Sequence, residues 1–171
     1  TSNGVLSNAQ DFVNKSESTF INEGVLDNLL RFDNEGFVEN NATFHNPGDL
    51  FIRADALFLN NAQLLLVDGN IRNEGTLTNT SQLSVNDCSS IRNLGSINNN
   101  GAFSIAGILF QTGTSTGFAP NVQDGYIHTS TSANAPSVCK NGSFGANIDG
   151  DVKVYASELI AFPNFEACSN M

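Results

Sequence analysis

The chain has 171 residues, of which 14 % are charged, and a formal net charge of −10. This acidic balance argues against binding to nucleic acid or to an anionic membrane surface, because no basic patch exists to neutralise phosphates. The longest apolar run, around residues 64–67, is too short to cross a bilayer. Disorder is also disfavoured, since 40 % of the residues are hydrophobic and 13 are Phe.

The chain begins Thr-Ser-Asn without an initiator Met, which predicts that a leader has been removed. Lys and Arg total only seven, whereas Asn occurs 25 times, 19 of them in the first hundred positions. Such a composition is typical of exported proteins. We therefore expect an extracellular or cell-surface location after removal of a signal peptide.

A repeated unit, apolar-x-Asn-x-Gly-x-apolar, runs through the first two thirds of the chain. A clear early copy is Phe20-Ile-Asn-Glu-Gly-Val-Leu26, and a degenerate copy covers residues 58–64. The central copies repeat every ~12–13 residues. The recurring Asn and Gly are Asn22, Gly24, Asn34, Gly36, Asn46, Gly48, Asn73, Gly75, Asn93, Gly95, Asn99 and Gly101.

Within each unit, apolar and polar residues alternate, which indicates short β-strands with one buried face. Asn and Gly tolerate the left-handed conformation that a sharp turn requires. A meander of β-hairpins would satisfy these signals, as would a β-solenoid whose coils stack on one another. The solenoid is favoured because stacking in register explains why the same residue types recur at every turn. We therefore predict an all-β, parallel β-helix-like solenoid.

The repeat ends near Gly107, and residues 108–171 carry three of the four prolines. We therefore divide the chain into a repeat solenoid over residues 1–107 and a C-terminal segment over residues 108–171. The second part is interpreted as a cap, an assembly arm or a small second β unit.

Three cysteines and two histidines are candidates for crosslinks or metal ligands. Cys139 and Cys168 are candidates for a disulfide in an exported protein, and Cys88 would then be left to pair between chains. Three buried or free thiols are the alternative. No Cys-x-x-Cys motif is present, and His45 and His128 are isolated, which disfavours a zinc site.

Two groups of carboxylates could bind calcium. Glu23, Glu35 and Glu74 occupy the same position of the repeat and are expected on one edge of a solenoid, although a solvated turn is the favoured interpretation. Asp149 and Asp151 flank a Gly and are candidate calcium ligands, but no Glu completes an EF-hand loop. A hairpin turn is therefore favoured there, and no cofactor other than calcium is implied.

An enzyme would need a catalytic constellation that the sequence does not supply. The four Arg residues do not coincide with a carboxylate cluster, and the position that Arg72 and Arg92 share is expected to face outward. Neither a nucleophile elbow nor a phosphate-binding loop is present. The sequence therefore predicts a protein that is not an enzyme.

The units "FINEGVLDN", "FDNEGFVEN" and "IRNEGTLTN" resemble the Asn/Gly-rich repetitive surface proteins of prokaryotes. These include autotransporter and haemagglutinin-like passenger regions, whose repeats build β-solenoids, and filament or sheath subunits. The resemblance covers roughly residues 1–107 and rests on the repeat pattern. It implies an extracellular structural or adhesive role and assigns no functional residue.

The first functional hypothesis is a structural subunit that binds copies of itself. The repeat begins almost at Thr1, which leaves no room for a cap, and an open coil invites another chain to stack or to donate a strand. Such a subunit would build an extracellular filament, sheath or matrix. The alternative is an adhesin-type module that recognises a carbohydrate or a host surface, and a β-helix carbohydrate-active enzyme comes third.

Overall fold

The computed structural model shows an all-β protein and describes residues 3–86, 89–118, 120–122, 126–129, 137–144 and 154–159. None of these segments is helical, so none provides a helix that could cross a membrane. The strands are, in chain order, β1 (Val5–Asn8), β2 (Asp11–Asn14), β3 (Thr19–Asn22), β4 (Val25–Asn28), β5 (Arg31–Asn34), β6 (Phe37–Asn40), β7 (Thr43–Asn46), β8 (Asp49–Ile52), β9 (Leu57–Asn60), β10 (Gln63–Leu66), β11 (Asn70–Asn73), β12 (Thr76–Asn79), β13 (Gln82–Val85), β14 (Ser90–Asn93), β15 (Ser96–Asn99), β16 (Ala102–Ile105), β17 (Ile108–Gln111), β18 (Thr114–Gly117), β19 (Asn121–Val122), β20 (Tyr126–Thr129), β21 (Ser137–Phe144) and β22 (Val154–Leu159).

These strands wind into a β-solenoid of six coils, each made of three short strands, which confirms the predicted fold class. The first sheet stacks β1, β4, β7, β10, β13, β16 and β19. The second sheet stacks β2, β5, β8, β11, β14, β17 and β20, and the third stacks β3, β6, β9, β12, β15 and β18. All of these pairings are parallel and in register, as between Leu77 and Ile97 on the third sheet.

A full coil is longer than the Asn-x-Gly spacing read from the sequence. Residues that pair between coils lie from 17 positions apart, as in β16 and β19, to 21 positions apart, as in β8 and β11. The spacing of ~12 residues spans two strands with their turns, so consecutive copies lie on different sheets. Asn22, Asn34 and Asn46 accordingly end strands of the third, second and first sheet.

The turn glycines are required by close packing rather than by a left-handed backbone. Among the described residues, Gly117 is the glycine with a positive φ, at 90°. At Gly75, by contrast, an added Cβ would lie 2.3 Å from the backbone oxygens of Ala56 and Arg53 in the preceding coil. Three residues other than glycine have a positive φ among the described residues: Glu17, Asp55 and Asp68. The conformational reason expected for these glycines was therefore wrong, because coils stacked this closely leave no space for a side chain.

The interior is a single column of apolar side chains, supplied by the second residue of each strand from β1 to β17. Phe32, Phe44 and Phe58 are fully buried and touch in sequence, with ring centroids 5.6 and 5.5 Å apart. Towards the C-terminal coils the same positions hold aliphatic residues, among them Leu77 and Ile97. Burial of this column is the main stabilising term for coils whose strands are four residues long.

The parallel stack continues past Gly107 and is followed by antiparallel pairing. β17 and β18 complete the sixth coil, and β19 and β20 pair in parallel with β16 and β17. β21 then pairs antiparallel with both β19 and β20, which joins the first and second sheets at this end. β22 pairs antiparallel with β21. The division of the chain near residue 107 stays a prediction.

Candidate functional site

The recurring Asn residues form the stacking surface between coils. Asn occupies the fourth position of twelve of the eighteen strands in the six coils, and its side chain is turned inward at the corner where the strand ends. The residues are Asn8, Asn14, Asn22, Asn28, Asn34, Asn40, Asn46, Asn60, Asn73, Asn79, Asn93 and Asn99, and all are buried. Polar groups buried at this depth must be hydrogen-bonded to be tolerated.

The third sheet shows the complete arrangement, which we call an asparagine ladder. Asn22 Nδ2 donates to Asn40 Oδ1 at 2.8 Å, and Asn40 Nδ2 donates to Asn60 Oδ1 at 2.7 Å. The series continues from Asn60 to Asn79 at 2.7 Å and from Asn79 to Asn99 at 2.8 Å. Each amide therefore serves as acceptor for one coil and as donor for the next.

The second amide proton of each side chain closes the corner of the coil above. Asn40 Nδ2 donates to the backbone oxygen of Gln63 at 2.9 Å, and Asn79 Nδ2 donates to that of Ala102 at 3.0 Å. Each acceptor is the first residue of the strand that comes after the stacked strand: Gln63 begins β10, which follows β9, and Ala102 begins β16, which follows β15. One side chain thus ties together two coils and the turn that connects two sheets, a task that no apolar residue could perform.

The ladders of the other two sheets are interrupted. On the first sheet, Asn8, Asn28 and Asn46 are followed by Leu66, Val85 and Ile105. On the second sheet, Ile52 separates the Asn14–Asn34 pair from the Asn73–Asn93 pair. The buried Oδ1 of Asn73, which faces Ile52 in register, has no hydrogen-bond partner.

The outer face of the second sheet carries a compact ionic cluster. Arg53 donates two hydrogen bonds to the Asp33 carboxylate, both at 2.6 Å, and Arg31 donates a third at 2.6 Å. Burial raises the pKa of Asp33, but the hydrogen bonds from Arg53 and Arg31 outweigh it and hold this pKa below the usual value of 3.8. The hydrogen bonds between Arg53 and Asp33 also raise the pKa of Arg53. Both guanidinium groups also lie over the ring of Phe51, at 4.7 and 4.9 Å.

The three Glu residues expected on one edge are separated by the structure. Glu23 follows the third-sheet strand β3, whereas Glu35 and Glu74 follow the second-sheet strands β5 and β11. That expectation was wrong because one repeat advances the chain by two sheets. Glu35 contacts Lys15 at 3.6 Å, and Glu74 accepts from Arg72 at 2.7 Å. No group of His, Cys, Asp or Glu in the described part of the chain is placed to hold a metal ion.

Most of the remaining candidate residues lie outside the part of the chain that the structure describes. Asp149, Asp151, Cys88 and Cys168 lie outside the described residues. Cys139 lies in β21, opposite Ile127 of β20. The calcium site and the disulfide pairing therefore stay predictions. Arg72 and Arg92, expected to face outward, are exposed on the second sheet.

Four of the twelve ladder residues, Asn8, Asn28, Asn40 and Asn79, were not recognised from the sequence. Asn28, Asn40 and Asn79 end strands as Asn22 does, but no Gly follows them two positions later. Their signal is the Asn-to-Asn spacing of six within residues 22–46, which the longer Asn-x-Gly pattern concealed. Comparisons with protein-family models, curated proteins and solved structures find no match for this chain.

Proposed function

We propose that this chain is a non-enzymatic structural protein, a secreted subunit that assembles with copies of itself into an extracellular filament, sheath or matrix. The observation that supports this proposal is the repetition of one stacking surface. From the first to the fifth coil, the strands of the third sheet stack in the same register, with an apolar residue at the same position and the same Asn amide at the strand end. A surface that is complementary to itself by translation can be extended by another molecule.

The described residues leave this surface partly uncovered at the first coil. Leu6, Phe12 and Phe20 are only partly buried, whereas Leu26, Phe32 and Val38 directly above them are fully buried. Val5 on the same edge is 75 % exposed. The outer edges of β1, β2 and β3 pair with no described strand. Strands of a second copy would cover these side chains and satisfy the free backbone groups.

The opposite end of the solenoid differs, which gives the assembly a direction. β21 lies antiparallel on the first and second sheets, while β18 of the third sheet has no described strand on its outer edge. Stacking on that end requires β21 and β22 to move aside or to be donated to the neighbouring copy. We therefore propose that assembly begins at the edge formed by β1, β2 and β3.

Sedimentation of variants at this edge tests the proposal. Leu6→Glu places a carboxylate on the inward side of β1, where it would lie unpaired against a stacked coil. Ser7→Glu adds the same charge to the outward side of the same strand and serves as the matched control. We expect the wild type and Ser7→Glu to form β-rich oligomers or filaments as concentration rises, and Leu6→Glu to remain monomeric.

A wild-type protein that stays a monodisperse 18.2 kDa monomer at high concentration would contradict the proposal. Assembly that is equally strong in Leu6→Glu would also contradict the assigned edge. Electron microscopy of the wild type distinguishes filaments from closed oligomers.

A further inference from the structure

Within residues 3–121, positive charge is confined to one outer face of the solenoid. The first and third sheets carry no Lys or Arg among residues 3–121, although their strands include the acidic Asp27 and Glu39. Each basic residue in this part of the chain lies on a second-sheet strand or directly follows one: Lys15, Arg31, Arg53, Arg72 and Arg92. In a chain with a net charge of −10, the second sheet is therefore the face that an anionic ligand would approach.

The neighbouring strands β11 and β14 of this sheet differ in the residue that directly follows each strand. Arg72 donates to Glu74, which follows β11 in the sequence Ile-Arg-Asn-Glu-Gly. The same sequence in the next coil has Leu94 in place of the Glu. Among the side chains that the structure describes, Arg92 has no carboxylate within ion-pair distance, whereas Arg31, Arg53 and Arg72 each have one.

Arg72 and Arg92 pair in register on adjacent parallel strands, so their side chains leave the same face of the sheet side by side. Neighbouring strands lie about 4.8 Å apart, and like charges facing each other at this distance are unfavourable. The side chain of Arg72 is 46 % exposed, and Arg92 is exposed as well. An anion that accepts hydrogen bonds from both groups would remove the repulsion, and guanidinium is suited to bidentate binding of carboxylate or sulfate.

The surroundings of this pair extend it into a straight strip. In register on the same side of the sheet, Phe51 precedes Arg72 and Phe110 follows Arg92, so the four residues span about 14 Å along the stack. A second row runs beside them, in which Ser90 Oγ donates to Asn70 Oδ1 at 2.7 Å. The strip thus combines charge, aromatic surface and hydroxyl and amide groups in a line parallel to the solenoid axis.

We infer that the Arg72–Arg92 pair and the adjacent Asn70–Ser90 row form a binding strip for an acidic polysaccharide. Carboxylate or sulfate groups of the sugar chain accept from Arg72 and Arg92, and sugar hydroxyls hydrogen-bond with Asn70 and Ser90. A linear chain of sugar rings matches a strip that is two residues wide and runs along several strands. DNA fits less well, because the sugars within a DNA strand have no free hydroxyl group to hydrogen-bond with Asn70 and Ser90. This inference is independent of self-assembly.

Binding of polygalacturonate to the folded full-length chain, measured by calorimetry at low and at moderate salt, tests the inference. Heparin tests sulfate in place of carboxylate, while neutral galactan and single-stranded DNA serve as comparisons. Two variants target the strip: Arg92→Gln removes the charge, and Leu94→Glu supplies the carboxylate that Arg72 already has. Lys15→Gln removes a positive charge at the edge of the same sheet, outside the strip, and is the matched control.

We expect the wild type and Lys15→Gln to bind polygalacturonate or heparin in a salt-sensitive manner, and not to bind galactan. Arg92→Gln and Leu94→Glu should each weaken binding by about tenfold, the effect of losing one charge-assisted interaction. Circular dichroism establishes that all variants are folded. Failure of the folded wild type to bind either acidic polysaccharide would overturn the inference, as would unchanged binding by Arg92→Gln. A preference for DNA, or loss of self-association in Arg92→Gln, would instead assign the strip to nucleic acid or to a contact between copies.

Discussion

The asparagine ladder of the third sheet is continuous, whereas that of the second sheet is interrupted by Ile52. In the continuous ladder, five amides from Asn22 to Asn99 are joined by four hydrogen bonds, each donated towards the C-terminal coil. In the interrupted ladder, Asn34 has no amide above it and donates to the backbone oxygen of Leu57 at 3.0 Å. The Oδ1 of Asn73, above Ile52, is buried without a partner.

This difference shows that the ladders are directional, because every side chain donates towards the C-terminal coil. A ladder can therefore end at its donor side at little cost. On the first sheet Asn46 ends the series below Leu66, and its Nδ2 donates instead to the backbone oxygens of Gly48 and Asn70, both at 3.0 Å. A ladder that begins above an apolar residue has no such substitute, since the Oδ1 of Asn73 receives no backbone N–H.

The largest effect is expected from breaking the continuous ladder in its middle. Asn60→Ala removes three hydrogen bonds: the one that Asn60 accepts from Asn40, the one that it donates to Asn79, and the one that it donates to the backbone oxygen of Gln82. Because buried groups are left unsatisfied, we expect a loss of roughly 3 kcal/mol in the free energy of unfolding, measured by chemical denaturation. Thr78→Ala, on the outward side of the same sheet, should change it by less than about 0.5 kcal/mol. Equal effects of the two substitutions would contradict the role of the ladder.

A paired substitution compares the two ladders directly. Asn79→Leu leaves the Oδ1 of Asn99 without its donor and so creates a new unsatisfied group. Asn73→Leu does the same to Asn93 but removes the unpartnered Oδ1 of Asn73 itself. Leu fits this position in the fold, since Leu66 occupies it on the first sheet. We expect Asn79→Leu to cost about 1–2 kcal/mol more than Asn73→Leu in the same denaturation assay.

The second sheet also differs from the third in its outer ionic cluster, which predicts a pH dependence. Since the pKa of Asp33 is lowered in the folded state, its contribution to stability is complete above 3.8, the usual value, and is lost as pH falls through the folded pKa. Asp33→Asn should lower the free energy of unfolding by about 1 kcal/mol at neutral pH. The difference from the wild type should vanish in strong acid. Asp11→Asn, on the exposed edge of the same sheet, should show no comparable loss.

The smallest effect is expected from repairing the interruption. Ile52→Asn loses buried apolar area but supplies a donor to Asn73 and an acceptor to Asn34, its partners in register. These terms oppose each other, so stability should stay within about 1 kcal/mol of the wild type. Ile71→Asn, in the apolar column of the adjacent strand, should cost at least about 3 kcal/mol, because nothing there can pair with the amide. Similar losses in the two variants would contradict the directional ladder.

The fold class could be predicted because stacking requires the same residue type at the same place in every coil. Asn22, Asn34 and Asn46 revealed this regularity, as did the alternation of apolar and polar residues around Ile71. The length of the coil could not be predicted from these markers. Three strands close one coil, and closure depends on how the turns and the core fit together rather than on any single residue.

The contents of the outer faces were predicted less well. The outward position of Arg72 and Arg92 followed from alternation and is confirmed. That both belong to the sheet that carries the basic residues of positions 3–121 depends on the coil length, as does the separation of Glu23 from Glu35. The packing role of Gly75 also could not be predicted, because the atoms that exclude its Cβ belong to residues about 20 positions earlier in the chain.

The most direct test of the ladder is the exchange of its side-chain amide protons, followed by NMR on protein with labelled Asn. If the amides of Asn40, Asn60 and Asn79 hold the coils together, their protons should exchange as slowly as the protected backbone amides of the same strands. The exposed side-chain amides of Asn41 and Asn100 should exchange at the rate of free asparagine. Rapid exchange of the Asn60 amide in the folded protein would contradict the account.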